Sequence, residues 1–279
     1  YELKQLGVKN IYYLPLAVNT DRLSSQLNSQ TREEKDRFSA DISFVGSMYH
    51  KNSYDDIKDK LPPYLRGYFD AAMLAQLNIY GDNIIDELLT VDILKQLSEF
   101  VDFRQDKRAF SDIRLVFEST FLGFKLANIE RVKTLNLLAK KNKVALYTDE
   151  QDASLINVDF KGTVDYMDDM PKVFNNSSIN LNMTIRNIRT GIPLRVWDIL
   201  GAGGFLLTNY QIELTDYFKS EESIVYYEDM YDCCKKAEYY LLHEDKRRQI
   251  AAKGHELVSK KHSYINRVEY ILDVIGKMS

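Results

Sequence analysis

The stretch INLNMTIRNIRTGIPLRVWDILGAGGFLLTN, residues 179–209, decides the fold. It opens with a short apolar run at Ile179 that ends in a polar loop, and Pro193 then begins an apolar segment with helical periodicity. Proline suits a first helical turn because its missing N–H has no helical partner there. Glycines end the segment at 201–204, and a second apolar run covers Phe205–Thr208. Strand, helix and strand at this spacing predict a βαβ unit with parallel strands.

The same alternation extends on both sides of this stretch. Short apolar runs predict further strands at Ile42–Val45, Val144–Tyr147, Val158–Phe160 and Ile224–Tyr227. Helices are predicted at about 168–175, 193–201, 211–219, 229–243 and 245–261. The order indicates an α/β fold built on a doubly wound, Rossmann-like parallel sheet.

Residues of about 54–140 interrupt that alternation. They carry almost no strand pattern, and their apolar positions recur at spacings of three and four residues. We therefore predict a helical insertion after the first strand. Its last helix is expected to run from about 108 to 140, with Gly123 weakening its middle.

The two ends of the chain lie outside the alternating pattern. We expect residues 1–40 to be a crossover and linker segment, and residues 41–279 to form the Rossmann-like domain. The stretch IYYLPLAV, residues 11–18, is predicted to be a short strand that Pro15 interrupts and confines to an edge. A last helix is expected over about 264–278, with Ser263 as its N-cap.

Composition excludes several classes of protein. The 279 residues are 45% hydrophobic and 28% charged, as in ordinary globular proteins, with a net charge of −4. That charge gives no reason to expect nucleic-acid binding, and no apolar run is long enough to span a membrane. The two cysteines, Cys233 and Cys234, are adjacent and have neither disulfide nor metal spacing. A reducing compartment, the cytoplasm, is the expected location.

Ligands of such sheets bind beyond the carboxyl ends of the strands. The first strand delivers Gly46, Ser47 and Lys51 to that edge, where a glycine permits close backbone approach and the polar side chains suit phosphate. A common turn is the alternative interpretation. The strand at 179–182 delivers Arg186, Arg189 and Thr190, just before a helix whose free N–H groups favour an anion.

Two charged residues, Arg195 and Asp198, lie on one stripe of that otherwise apolar helix. Burial requires them either to pair with each other or to bind a ligand, and the sequence leaves both open. The glycine-rich end of the helix lacks a Walker pattern and a G-x-G-x-x-G pattern, which disfavours a P-loop NTPase and a simple dehydrogenase.

The residues quoted above resemble a known family. The block 179–218, continuing through YQIELTDYF, resembles the donor-binding half of GT-B glycosyltransferases, and more narrowly the CgeB-like, spore-maturation-type enzymes. Weaker similarity covers ADISFVGSMY at 40–49, FKGTVDY at 160–166 and YYLLHEDKRRQIAAKG at 239–254. The resemblance implies glycosyl transfer from a nucleotide-sugar, UDP-linked and bound as substrate, with no cofactor and no metal.

The resemblance also implies roles for particular residues. Asp198 falls on the second of two acidic positions, which binds the nucleotide ribose, and Thr190 falls on the first, where the acid is missing. Arg195, Gly201 and Gly203 match the motif, and Gly46-Ser47 matches the loop near the diphosphate. The range Gly162–Tyr166 falls where the base is held, so Tyr166 belongs to the expected donor site.

Other expectations concern what lies around this site. Because the chain begins at Tyr1 rather than Met, we expect an amino-terminal domain that holds an acceptor glycan, protein or lipid. A homodimer stays open. A sugar-nucleotide epimerase would need acid and base groups in the cleft, where only His50 lies at a strand end. A non-catalytic nucleotide- or carbohydrate-binding module is favoured by Thr190 in place of an acid.

Overall fold

The computed structural model describes Lys4, residues 7–101 and residues 113–278. Six parallel strands form one sheet in the order β3-β2-β1-β4-β5-β6. The strands are β1 Ala40–Val45, β2 Val144–Tyr147, β3 Asp159–Phe160, β4 Ser177–Asn182, β5 Leu206–Asn209 and β6 Val225–Tyr227. The doubly wound, Rossmann-like fold predicted from the sequence is confirmed.

Helices cover both faces of the sheet and continue beyond it. In chain order they are α1 Thr20–Asn28, α2 Arg32–Phe38, α3 Ser53–Ile57, α4 Pro63–Gln76, α5 Ile85–Leu88, α6 Val91–Leu97, α7 Ile113–Val116, α8 Phe124–Leu138, α9 Met170–Asn176, α10 Leu194–Gly201, α11 Leu214–Tyr217, α12 Met230–Leu242, α13 Glu244–Lys261 and α14 Tyr264–Met278. A 3-10 turn, Lys58–Lys60, follows α3.

Burial on both faces explains why a strand such as β2 is continuously apolar. Successive side chains point to opposite faces, so Leu146 and Leu207 enter one hydrophobic layer, with α8 and α12. Ala145 and Leu206 enter the other, with α9 and α10. The sheet is thus the middle layer of three.

The helical insertion has a hydrophobic core of its own. Tyr54, Phe69 and Phe117 pack together there, away from the two layers on the sheet. Within its last helix a π-helical segment, Phe117–Gly123, joins α7 to α8 and ends at the glycine that was predicted to weaken it. The predicted start of this helix, 108–112, lies outside the described residues.

Two local predictions are wrong. Residues 11–18 form no strand of the sheet, and Val18 makes a single bridge to Ser263. The helix expected over 211–219 is reduced to α11, because the side chain of Asn209 bonds to the backbone of Thr184 rather than capping a helix near Gln211.

The predicted start of the last helix is confirmed. Ser263 accepts a hydrogen bond from the N–H of Asn266 at 3.3 Å, and the Asn266 side chain accepts one from the N–H of Ser263 at 3.0 Å. This reciprocal pair satisfies two N–H groups that a helix start leaves free.

Candidate functional site

The strand order reverses between β1 and β4, and this reversal defines a crevice. From β1 the chain crosses to β2 on one side, while β4 and β5 continue on the other. Ile42 pairs with Ile179 and Phe44 with Leu181, so both carboxyl ends meet at one edge. Open α/β sheets bind ligands at such a switch point.

Arg131 of α8 fixes the two loops that border this crevice. Its guanidinium donates to the carbonyl oxygen of Ser47 after β1, and to that of Met183 after β4 at 2.6 Å. The same group lies over the rings of Phe44 and Tyr49, with 5.3 and 4.8 Å to the ring centroids. One buried cation therefore sets the spacing of both loops.

Sequence reasoning missed Arg131, although a signal was present. In the helical stretch 124–138, Ala127, Thr134 and Leu138 mark the stripe that faces the core. Glu130 and Arg131 fall on this stripe, and buried charges need partners. Two adjacent charges at core positions would have indicated a polar network at the end of the sheet.

The loop after β1 carries its polar groups at the rim of the crevice. Gly46 donates its N–H to the carbonyl oxygen of Tyr147 at 3.0 Å, and the exposed Ser47 hydroxyl accepts the N–H of Tyr49. Lys51 is exposed and bonds to Glu150 at 2.6 Å. Hydrogen bonds from Lys51 and His50 lower the pKa of Glu150. Lys51 is a cation within reach of solvent.

Arg186, after β4, points into the interior of the protein. Its guanidinium forms an ion pair of 2.7 Å with Glu130, and both side chains are buried. The ring of Tyr80, from the insertion, lies 3.3 Å from it, centroid to Cζ. Burial raises the pKa of Glu130, and the arginine opposes that rise. The contacts of Arg186 hold the insertion on the β4 loop.

Arg189 and Thr190 are exposed at the tip of the same loop. Arg189 forms an ion pair of 3.0 Å with Asp86 of the insertion. The next residue, Gly191, donates its N–H to a carboxylate oxygen of Glu213. The structure thus separates the two loop arginines, one at a solvent-exposed ion pair and one in the interior.

Asp198 lies in the second turn of α10, which begins directly after Pro193. Its carboxylate is partly buried and accepts a hydrogen bond from the hydroxyl of Tyr166 at 3.2 Å. Burial raises its pKa, while Arg195 and Tyr166 oppose the rise. Among the described residues, no ion pair joins it to Arg195.

Arg195 has other contacts instead. Its guanidinium contacts the sulfur of Met170 and lies 5.4 Å from the ring centroid of Phe174. Burial lowers its pKa. Of the two interpretations left open by the sequence, an internal Arg–Asp pair is not what the structure shows.

A narrow cleft runs beside Asp198 and Tyr166. Arg22 and Leu23 of α1 line it together with Met170 and Phe174. The loop that carries Tyr166 is fastened to α1, since Arg22 and Gln26 donate to the carbonyl oxygen of Met167 at 3.1 and 2.9 Å.

Gly201 and Gly203 lie at the carboxyl end of α10, beyond Asp198. Gly201 is three residues, roughly 4.5 Å along the helix, from Asp198. A Cβ on Gly201 would lie 2.4 Å from Val18, and Gly203 has a φ of +73° at the turn after the helix. Close packing therefore explains the glycine at 201, and the backbone conformation explains the glycine at 203.

Within the described residues, neither the cysteines nor the histidines form a reactive or metal-binding site. Burial raises the pKa of the Cys233 thiol well above its usual value. The described residues contain no cluster of His, Cys, Asp and Glu that could hold a metal ion. None of the helices in the described part of the chain has the length and apolarity to cross a bilayer.

Doubly wound sheets bind their ligands in the crevice at the switch point, beyond the carboxyl ends of the strands. Residues 129–273, just over half of the chain, match the family model described as glycosyl transferase-like. The chain belongs to this glycosyl transferase-like family. This confirms the coarse part of the resemblance seen in the sequence, whereas the CgeB-like, spore-maturation-type assignment stays a prediction.

Several solved structures have a similar fold at low sequence identity. A glycosyltransferase from Rickettsia africae is 12% identical, with a TM-score of 0.46, over 98% of this chain and 60% of that one. Trehalose-6-phosphate synthase OtsA is 13% identical, with a TM-score of 0.47, over 93% and 50%. Anabaena Alr3699/HepE, solved in complex with UDP-glucose, is 10% identical, with a TM-score of 0.44, over 52% and 44%. The chain therefore spans about half the length of these proteins. No curated protein sequence was found to match it.

Proposed function

We propose that the chain is the donor-binding part of a glycosyltransferase that transfers a sugar from a nucleotide-sugar. The observation that carries this proposal is the state of Asp198. The carboxylate lies partly buried at the edge of a cleft and forms no direct ion pair among the described residues, although Arg195 and Arg22 are near enough to oppose the rise of its pKa. A half-buried carboxylate left in this state is costly unless it serves a ligand.

In this proposal the ribose lies at the mouth of the cleft beside α10, against Asp198. An ionised carboxylate accepts hydrogen bonds only, and adjacent ribose hydroxyls offer two donors to it. The hydroxyl of Tyr166 holds the carboxylate at 3.2 Å and fixes its orientation. The loop Gly162–Tyr166 would then border the base, through a backbone that α1 holds in place.

The diphosphate lies across the switch point, between the loop 46–51 and the start of α10. As the bond to the sugar breaks, negative charge builds up on the diphosphate. Free N–H groups at the helix start and the exposed cations of Lys51 and Arg189 oppose this charge. Arg186, Arg195 and Arg131 support the surrounding loops from the interior. Such an arrangement needs no metal ion.

The finer assignments follow the sequence resemblance and share its support. The block 179–218 favours a CgeB-like, spore-maturation-type enzyme with a UDP-linked hexose donor. An acceptor glycan, protein or lipid would be held by a further domain, and a cytoplasmic location suits the two free cysteines. Gly46 and Ser47 are proposed at the diphosphate, and Thr190 at the transferred sugar.

The proposal is tested by calorimetric titration of uridine, guanosine and thymidine diphosphates, with and without EDTA. At least one should bind, and EDTA should leave the affinity unchanged. Asp198→Ala should weaken binding about tenfold or more, as expected for the loss of hydrogen bonds to a charged group worth about 1.5–3 kcal/mol. Asp168→Asn, at an exposed carboxylate near Tyr166, is the matched control.

Two results would count against the proposal. Unchanged affinity in a folded Asp198→Ala protein would remove the role of Asp198. Tight nucleotide-sugar binding without turnover in the full-length protein would favour the binding module, which the hydroxyl of Thr190 in place of an acid also favours.

A further inference from the structure

A large cavity lies between the amino-terminal segment and α11, beside the loop that precedes α10. It has a water-accessible volume of about 490 Å³, within the range of about 300–1,000 Å³ typical of small-ligand sites. Tyr13, Thr190, Glu213, Asp216 and Tyr217 contribute to its lining. We call it the α11 cavity.

Two aromatic rings, together with Ile11 and Ile212, provide the apolar part of the lining. Tyr13 is 54% exposed. Tyr217 packs against Trp197 and His262, with ring centroids 6.0 and 5.4 Å apart, and the rest of its ring borders the cavity. The face of an aromatic ring is electronegative, so it attracts the weakly positive C–H groups of a sugar ring.

A fixed carboxylate provides the polar part. Glu213 accepts hydrogen bonds from the hydroxyl of Tyr13 and from the N–H of Gly191. These two donors orient the carboxylate before any ligand arrives, and each oxygen keeps a second lone pair for a further donor. Asp216 adds another carboxylate to the same wall.

From this combination we infer that the α11 cavity is a subsite for a pyranose ring. Hydroxyl groups of the sugar donate to Glu213 and Asp216, and its C–H faces lie on Tyr13 and Tyr217. The lining carries two carboxylates and one ammonium group, that of Lys4. Its net charge is negative and repels a phosphate, so the cavity favours a neutral polyol over the anionic part of a nucleotide. The inference rests on the proposed function only for the source of the sugar.

The position of the cavity agrees with that role. Thr190 borders it, and four residues later α10 begins, a span of at most about 14 Å. Asp198 lies one turn further, roughly 6 Å along the helix. The sugar subsite and the nucleoside site are therefore at two different places along one loop and helix.

The test compares UDP, UDP-glucose, UDP-N-acetylglucosamine and methyl α-glucoside by calorimetry and by NMR titration. At least one UDP-sugar should bind about tenfold more tightly than UDP. Glu213→Gln loses the charge and keeps one acceptor oxygen, enough for Tyr13 or Gly191 but not for both. It should remove that gain while UDP still binds. Glu222→Gln, at an exposed carboxylate beyond α11, should change neither. Tyr13→Ala should reduce the same gain about fivefold. Because Tyr13 is exposed, this variant still tests the subsite if Glu213→Gln does not fold.

Each result decides the inference separately from the proposed function. Sugar probes that bind no more tightly in the wild type than in Glu213→Gln would overturn it, even if UDP binds and needs Asp198. If methyl glucoside competes with a UDP-sugar, the occupant of the cavity is the sugar of the donor. If methyl glucoside and a UDP-sugar bind at the same time, the occupant is an acceptor sugar. If UDP does not bind at all, the proposed function fails, and Glu213-dependent binding of methyl glucoside still supports the subsite.

Discussion

Asp198 carries a cost in stability, which the proposed role in binding would explain. Burial raises its pKa above the unfolded value of 3.8, so the folded state holds this proton more tightly than the unfolded state does. The stability from this group is present below the unfolded pKa and is lost as the pH rises through the folded pKa. At neutral pH the ionised carboxylate therefore destabilises the free protein.

The first prediction concerns Asp198→Asn. It should raise the free energy of unfolding at pH 7 by about 0.5–2 kcal/mol, as stabilising changes at functional sites commonly do, while nucleotide affinity falls. The gain should shrink towards pH 4, where aspartic acid itself takes up a proton. Urea unfolding at both pH values measures this difference, and an Asn variant no more stable than the wild type at pH 7 would contradict it.

The second prediction concerns the buried pair of Glu130 and Arg186. Arg186→Met leaves an unpaired buried carboxylate and should cost about 3–5 kcal/mol. The double variant Glu130→Met, Arg186→Met removes both charges and should recover most of that loss. A double-mutant cycle from chemical denaturation measures the coupling. If the double variant is stable but binds no nucleotide, Arg186 contacts the donor as the sequence suggested, rather than only holding the loop.

Sequence reasoning placed these residues but could not give their orientation. A loop of two arginines after a strand looks the same whether its side chains face a ligand or the interior. Arg186 turns inward because the insertion, more than 50 residues earlier in the chain, supplies Glu130 and Tyr80 as partners. Asp198 points towards the cleft, where its partner Tyr166 lies on the loop after β3. Both orientations depend on tertiary contacts, which cannot be predicted from the periodicity of apolar residues.

At the scale of elements, strand prediction succeeded where burial on both faces kept the apolar runs continuous. β2 begins and ends as predicted, and α10 starts one residue after Pro193. The failure at residues 11–18 has a physical cause. Only Val18 pairs there, while the tyrosines at 12 and 13 are exposed, so β-propensity without a neighbouring strand produces no sheet.

The third prediction compares two helical glycines. A Cβ on Gly201 would lie 2.4 Å from Val18 and 3.1 Å from Leu23, so Gly201→Ala should cost about 1–3 kcal/mol through overpacking. Gly67, on the exposed side of α4, has nothing within 4 Å, so Gly67→Ala should gain about 0.4–1 kcal/mol. Thermal unfolding of both variants provides the comparison. A harmless Gly201→Ala would instead shift the explanation of this glycine towards a ligand.

At the scale of the whole molecule, the segment before α1 is tied to the start of α14. Val18 donates its N–H to the carbonyl oxygen of His262 at 3.1 Å. Arg267 donates to the carbonyl oxygens of Pro15 and Leu16, each at 2.9 Å. Its guanidinium also lies 5.9 Å from the ring centroid of Trp197 on α10. Residues more than 240 positions apart thus share one contact region with the helix that carries Asp198.

His262 makes this contact region sensitive to acid. Its ring packs against Trp197 and Tyr217, with centroids 4.9 and 5.4 Å apart, and its Nδ1 lies 2.8 Å from the guanidinium of Arg267. Burial, with Arg267 and Lys261 nearby, lowers the pKa of His262 from 6.5 to about 4. Nδ1 accepts the hydrogen bond from Arg267 only while the ring is neutral.

The fourth prediction follows from that lowered pKa. As the pH falls below 6.5, the unfolded chain takes up a proton on His262 before the folded protein does, so stability is lost progressively down to about pH 4. Solvent screening limits the loss to on the order of 1–2 kcal/mol. Urea midpoints of His262→Gln between pH 7 and 4 should fall less steeply than those of the wild type, while His243→Gln, at an exposed histidine, should follow the wild type. Equal slopes for all three proteins would show that the junction of segment, α10 and α14 does not depend on a neutral His262.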